Sequence, residues 1–93
     1  MSTTFQQAIR EFRTLPGVGP NIARDLADLG YERVADLRDQ NPEAMYAALG
    51  RLRNRQIDPC MLYVFRCVVY FAREPDPEPE LLKWWNWKDR FLP

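Results

Sequence analysis

The part of the sequence that most constrains the fold is a break between two helical patterns, Leu-Pro-Gly-Val-Gly-Pro at residues 15–20. Gly17 and Gly19 permit the positive φ that a tight turn requires. Pro20 can start a helix, because the first helical residue needs no backbone N–H. Apolar residues recur at helical spacing on both sides of the break, so we expect a hairpin that joins two helices.

Start and stop signals divide the rest of the chain into short helices. The pairs at residues 41–42 and 58–59 each place an N-cap residue, Asn or Asp, before a proline. Thr4 has the spacing of a capping box, and Gly30 and Gly50 supply C-terminal stops. These signals predict an all-α fold of five or six short helices, over residues 4–13, 20–29, 34–37, 42–50, 59–73 and 80–87.

The longest apolar pattern covers residues 59–73, where apolar side chains wrap more than half of the helix circumference. This pattern predicts a central helix that is the most buried one. Acidic residues then alternate with prolines over residues 74–79, which cannot be helical and should be extended. We therefore divide the chain into a helical domain, residues 1–73, and a proline-rich linker with a tail packed on that domain, residues 74–93.

All three tryptophans of the chain, Trp84, Trp85 and Trp87, lie in this tail. Three tryptophan side chains in one short segment are expected to be buried rather than left in water. Packing against the body of the domain is the favoured interpretation. Stacking of the tryptophans on unpaired bases and insertion into a groove of a partner protein are the alternatives.

The composition excludes several classes of function. With 93 residues the chain suffices for one domain but not for a large enclosed active site, so we expect no enzyme, cofactor or small-molecule substrate. No apolar run reaches the roughly 20 residues that span a bilayer, and the N-terminus lacks a signal-peptide pattern; we expect a cytoplasmic protein without membrane contact.

The chain has no histidine, and Cys60 and Cys67 fall on one predicted helix. Neither a side-chain metal site nor a disulfide is expected, and both cysteines are predicted to be buried.

Residues 15–26 resemble the helix-hairpin-helix motif of DNA repair and recombination proteins, and every apolar, glycine and alanine position of that motif is met. The motif can bind an anion for a simple physical reason. Exposed backbone N–H groups lie beside the positive end of the second helix and form an anion pocket without any charged side chain, while Val18 packs into the core between the helices.

The resemblance implies a compact, SAM-like bundle whose hairpin binds backbone phosphates of DNA without reading base sequence. The residues implied in this contact are Gly17, Val18, Gly19, Asn21 and Arg24. Some members of the family hold a monovalent cation through hairpin carbonyl groups. Carried over to this chain, those carbonyls belong to Arg13, Leu15 and Val18.

Nearly the whole chain resembles a small bacterial pathogenicity-locus family, some members of which are labelled mitomycin-resistance proteins. After the hairpin, the resemblance follows the segments at residues 29–31, 34–37, 58–60, 70–72 and 84–89. It implies a helix-hairpin-helix fold closed by an aromatic tail. Mitomycin cross-links DNA, which is compatible with a DNA-related task.

The charge balance argues against strong binding to a duplex. Thirteen basic residues stand against thirteen acidic ones, and Asn21 stands where many DNA-binding members have Lys or Arg. Phosphate neutralisation dominates such affinity, so binding here must come from local geometry. A cationic rim could add to it, formed by Arg10, Arg13, Arg51, Arg53 and Arg55, of which the last three are predicted to lie in a loop. Charge runs of this kind are most often solvated surface.

Our leading hypothesis is a module that binds DNA backbone weakly and without sequence preference, as an accessory to repair or recombination. The alternative is a protein-interaction module that keeps the hairpin only as architecture, which the neutral charge and Asn21 favour. A base-excision glycosylase would place its catalytic aspartate near Asp36 or Asp39. This chain is too short to enclose a flipped base and has no lysine near the hairpin to act as nucleophile, so both aspartates are interpreted as solvent-facing or capping residues.

Overall fold

The computed structural model describes residues 2–92 and contains four α-helices, three single-turn 3-10 helices and, within those residues, no strand. The α-helices are α1 (Ser2–Phe12), α2 (Pro20–Asp28), α3 (Pro42–Arg53) and α4 (Cys60–Arg73). The 3-10 helices span Val34–Leu37, Pro79–Leu82 and Trp84–Trp87. The all-α prediction is confirmed, whereas the third predicted helix is one 3-10 turn and the last predicted helix is two separate 3-10 turns.

Two predicted helix ends are wrong. Thr4 does not cap α1, because that helix already begins at Ser2. Gly50 does not end α3, which continues to Arg53 and stops where Asn54 adopts φ 54°. Asparagine tolerates this left-handed conformation better than most residues, and the N–H of Asn54 donates to the carbonyl of Arg51 at 3.2 Å.

The predicted stop at Gly30 is confirmed. Gly30 has φ +101°, and its N–H donates to the carbonyl of Ala27 at 3.0 Å. The next residue, Tyr31, donates its N–H to the carbonyl of Leu26 at 3.3 Å. This pair of hydrogen bonds is the Schellman arrangement, which satisfies the last carbonyls of α2 and turns the chain away from it.

Helix α4 lies at the centre of the molecule, as its apolar pattern predicts. Half of its 14 residues are buried: Met61, Val64, Phe65, Arg66, Cys67, Val68 and Val69. Helix α3 packs along one side of α4, the tail along another, and α1 packs against α2. The fully buried side chains of Phe12, Leu26 and Phe65 belong to three different helices, so a single core joins them.

The tail packs on α4 through residues 79–92. Trp87 is 1% exposed, its indole N–H donates to the carbonyl of Leu81 at 2.8 Å, and its ring lies 5.3 Å from that of Tyr70. The buried guanidinium of Arg66 donates to the carbonyl of Trp87 at 2.8 Å and to the Glu43 carboxylate at 3.0 Å. Arg66 therefore joins α4, α3 and the tail.

The acidic, proline-rich segment, predicted to be free of helix over residues 74–79, is so over 74–78, and Pro79 begins a 3-10 helix. Glu78 adopts ψ 129° and donates its N–H to the hydroxyl of Tyr70 at 3.0 Å, which leads the chain back along α4. The Cα radius of gyration is 12.4 Å, close to the roughly 12 Å of a compact domain of this length. Among the described residues, no helix is long and apolar enough to cross a membrane.

Candidate nucleic-acid interface

Helices α1 and α2 are joined by a turn in which the N–H of Val18 donates to the carbonyl of Leu15 at 3.2 Å. Gly17 has φ +74°, so the prediction of a positive φ is confirmed there. Gly19 has φ −92° and an extended backbone, so the same prediction is wrong at that position. The Val18 side chain is 8% exposed and belongs to the core; only its backbone is left to meet a ligand.

Four backbone N–H groups of the turn and the start of α2 have no hydrogen-bond acceptor among residues 2–92: those of Gly17, Gly19, Asn21 and Ile22. Ile22 is half-buried, whereas Gly17, Gly19 and Asn21 are exposed. Pro20 between them is the first residue of α2, so these N–H groups lie at the end of the helix that carries the positive partial charge. Each of the three exposed groups is free to donate a hydrogen bond to a ligand.

The two arginines nearest to the turn in sequence are both at the surface. Arg13 is exposed and directly follows α1. The Arg24 side chain is 66% exposed, with its Nε 3.9 Å from an Asp28 carboxylate oxygen and its guanidinium 5.6 Å from the ring centre of Phe5. Arg24 is therefore only loosely held and can turn toward an anion at the turn.

The arginines of the predicted cationic rim do not lie together in one loop. Arg51 and Arg53 lie in the last turn of α3, which corrects their predicted loop placement; the helix runs past Gly50 because the stop comes at Asn54. Arg53 donates to Asp25 at 2.6 Å and to Asp28 at 2.7 Å. These two hydrogen bonds raise the pKa of Arg53 and hold α2 to α3. Arg10 is exposed on α1.

Arg55 is the rim residue that lies beside the turn. It is exposed, and together with Gly17, Ile22 and Trp84 it lines an opening between the turn and α4. A Cβ built on Gly17 would lie 3.2 Å from Cδ1 of Trp84. The contact of the tail with the turn was not predicted, because the sequence shows only that indoles follow a proline-rich segment and not where that segment leads.

The other candidate groups have structural explanations. The Leu15 carbonyl, one of three proposed to hold a cation, accepts the Val18 N–H. Asp36 accepts the backbone N–H groups of Glu32 at 2.9 Å and of Arg33 at 3.0 Å, and these bonds lower the pKa of Asp36. Its interpretation as a capping residue is therefore confirmed.

The two cysteines differ in exposure. Cys67 is buried and Cys60 is exposed, so the prediction of burial is wrong for Cys60, which lies in the first turn of α4 rather than on its inner face. Within residues 2–92, no group of three or more cysteine, aspartate or glutamate residues is arranged to hold a metal ion.

Comparisons with known proteins extend over most of the chain. The family model described as Cdd1, pathogenicity locus, matches residues 5–91. The mitomycin resistance protein McrB of Streptomyces lavendulae is 29% identical over 77 residues, which cover 83% of this chain and 70% of that protein. No solved structure matches the chain. The family match, over residues 5–91, includes the turn, α4 and the tryptophan-rich segment.

Proposed function

This chain belongs to the pathogenicity-locus family, and we propose that it is a non-catalytic helix-hairpin-helix module that binds the phosphate backbone of DNA without reading base sequence. The observation that carries the proposal is the set of backbone N–H groups at Gly17, Gly19 and Asn21, which have no acceptor among residues 2–92. They adjoin the N-terminus of α2, where the helix dipole favours an anion. A neutral protein can hold a phosphate in this way.

In this proposal, one phosphate oxygen accepts from the turn and Arg24 or Arg13 supplies the nearby positive charge. Few phosphates are touched, so affinity is weak and depends on salt, with a slope of roughly 0.9 per phosphate neutralised. Weak binding without sequence preference suits an accessory to DNA repair or recombination. The name of the relative, a mitomycin resistance protein, is compatible with such a task.

Gly19 is the position at which to test the proposal. It is the N-cap of α2 in an extended conformation, and a Cβ added there meets nothing within 4 Å. Aspartate is a favoured N-cap residue. In Gly19→Asp, the new carboxylate accepts the N–H groups itself and repels phosphate, so the fold is kept while the anion site is lost.

We expect Gly19→Asp to weaken binding to duplex DNA at least ten-fold, with an unchanged or higher melting temperature. Binding is measured by fluorescence polarisation at about 20 mM salt, where charge-driven contacts are strong. Ala44→Asp is the matched control: it adds the same charge at an exposed position in the first turn of α3, at the end opposite to Arg53. The proposal fails if the unchanged protein does not bind, or if the two variants bind equally well.

The second candidate is a protein-interaction module in which the turn serves only as architecture. The observation that favours it is the zero net charge, from 13 basic and 13 acidic residues, because DNA-binding domains usually show a basic excess. The same experiment separates the two candidates. If the unchanged protein has no affinity for DNA at low salt, and Gly19→Asp leaves its folding unaffected, the interaction module is supported.

A further inference from the structure

A second groove adjoins the turn, between the tail and the start of α4. It has a volume of about 290 Å³, and its lining includes three aromatic residues, Tyr63, Trp84 and Trp85, together with Asp58, Pro59, Cys60 and Lys88. Three aromatic rings around one open groove are unusual for a surface that meets only water. A flat, apolar ligand would fit such a groove.

Trp84 connects this groove to the turn. It lines both the groove and the opening beside Gly17, and its Cδ1 would lie 3.2 Å from a Cβ at Gly17. Its ring centre is 5.7 Å from that of Trp85, and the two rings are nearly perpendicular, at 84°. A single indole thus separates the phosphate site at the turn from the ring of Trp85. The groove and the turn are therefore neighbours, with Trp84 between them.

Trp85 has the surface that stacking requires. It is 57% exposed, although Trp87 two residues later is only 1% exposed. Phe91 is also exposed, but the guanidinium of Arg66 already lies 4.4 Å from its ring centre. Trp85 makes only an edge contact with Trp84, so most of its surface is available. Stacking of a base on an aromatic ring contributes about 1–3 kcal/mol.

The charges at the rim favour a base over a phosphate inside the groove. Asp58 uses one carboxylate oxygen to accept the Cys60 N–H at 2.9 Å, and its negative charge would repel a phosphate placed beside it. Lys88 is exposed and has no ion-pair partner among residues 2–92. A neutral base in the groove avoids the repulsion from Asp58, and Lys88 can meet the phosphate on the other side of that nucleotide.

We propose that the groove formed by Tyr63, Trp84 and Trp85 holds an unpaired nucleobase of the DNA whose backbone is bound by the turn. This inference rests on the proposed function and deepens it. The preferred DNA has a base outside the double helix, at a bulge, a gap or the junction with a single strand. Trp85 stacks on that base, and Trp84 sets its distance from the turn.

The test compares three duplexes of the same sequence: one fully paired, one with a single bulged nucleotide, and one with a bulged abasic site that keeps the phosphate but lacks the base. The unchanged protein is expected to bind the base-containing bulge about 5-fold to 100-fold more tightly than the other two, which corresponds to one stacked base. Trp85→Ala should abolish this preference and leave affinity for the paired duplex unchanged. Trp85→Phe should retain part of it.

Leu52→Ala is the matched control, because Leu52 is another half-exposed apolar side chain, on α3, at 50% exposure. It should keep the full preference for the bulge. Equal binding of the bulged and abasic duplexes overturns the inference while duplex binding, and with it the proposed function, stands. If Trp85→Ala and the unchanged protein prefer the bulged duplex equally, the inference is overturned as well. An apolar segment of a protein partner is then the remaining ligand for the groove.

A second measurement applies when no duplex is bound, that is, when the proposed function fails. A single-stranded oligothymidylate is added, and the fluorescence of the unchanged protein is compared with that of Trp85→Phe. Quenching that is clearly stronger in the protein that contains Trp85 supports a base in the groove independently of the turn. Equal quenching in both proteins, or none, overturns the inference.

Discussion

The two glycines of the turn serve it for different physical reasons. Gly17 has φ +74° and lies against Trp84, so a side chain there would be strained by the backbone and crowded by the indole. Gly19 has an ordinary φ of −92° and open space around it. Its missing side chain leaves the neighbouring N–H groups accessible. Substitutions at Gly17 therefore report on folding, whereas substitutions at Gly19 test the proposed binding of DNA.

The cysteines provide a test of burial at single residues. Burial raises the pKa of the Cys67 thiol to about 11, so at neutral pH it stays protonated as well as covered, and only the thiolate is nucleophilic. Cys60 is exposed. We expect one thiol per chain to react rapidly with an aromatic disulfide reagent at pH 8 in the native protein, and two after denaturation.

Cys60→Ser identifies the reactive thiol: the native variant should show no rapid reaction. Cys67→Ser is its matched control and should leave the rapid reaction of Cys60 intact. Rapid reaction of two thiols in the native protein would contradict the described packing of Cys67 beside Leu81 and Trp87.

At the scale of elements, the start of α3 is fixed by hydrogen bonds made within a few residues. The Asn41 side chain accepts the N–H groups of Glu43 at 2.8 Å and Ala44 at 3.1 Å, which satisfies two of the first N–H groups of α3. Glu11 on α1 reaches further: its carboxylate accepts the Val34 N–H at 2.7 Å. It ties the first helix to the 3-10 turn after α2.

We expect Asn41→Ala to lower the free energy of unfolding by about 1 kcal/mol, the usual cost of losing an N-cap. Asn54→Gly acts on the other end of the same helix. It should raise the free energy of unfolding by some tenths of a kcal/mol, because glycine adopts the left-handed conformation of Asn54 without strain. Both values come from urea denaturation followed by circular dichroism. An unchanged midpoint in Asn41→Ala would show that these hydrogen bonds contribute nothing net.

For the whole molecule, the decisive side chain is Arg66, which is 4% exposed. It meets Glu43 on α3, the carbonyl of Trp87 and the ring of Phe91. Its partner Glu43 is about half exposed, so water can take over the carboxylate when the arginine is removed. The buried carbonyl of Trp87 would keep only the long hydrogen bond from the Arg90 N–H, at 3.5 Å.

Arg66→Met should therefore lower the free energy of unfolding by about 2–3 kcal/mol, as expected for a lost hydrogen bond from a charged donor to a buried acceptor. Tryptophan emission should shift to longer wavelength as the tail loosens and Trp87 meets water. Arg73→Met, at an exposed arginine of the same helix, should change stability by less than about 0.5 kcal/mol. Equal effects of the two substitutions would refute the role of Arg66 in holding the tail.

The sequence by itself determined the local structure of this protein. The turn at residues 15–20, the stop at Gly30, the cap at Asn41 and the central position of α4 are encoded by residues close together in the chain. Backbone sterics and bonds to near neighbours decide such features. The end of α3 was misjudged because Gly50 and Asn54 can both stop a helix, and nothing local selects between them.

The tertiary structure alone decided which groups the turn meets. That Arg53 is held by Asp25 and Asp28, that Arg66 is buried against the tail, and that Trp84 lies against Gly17 depends on contacts between residues 21 or more positions apart. Periodicity shows that a side chain is apolar or charged on one face of its own helix. It does not show which other element covers that face, because this depends on how the whole core closes. The candidate interface was thus predictable at the turn and not at the tryptophans beside it.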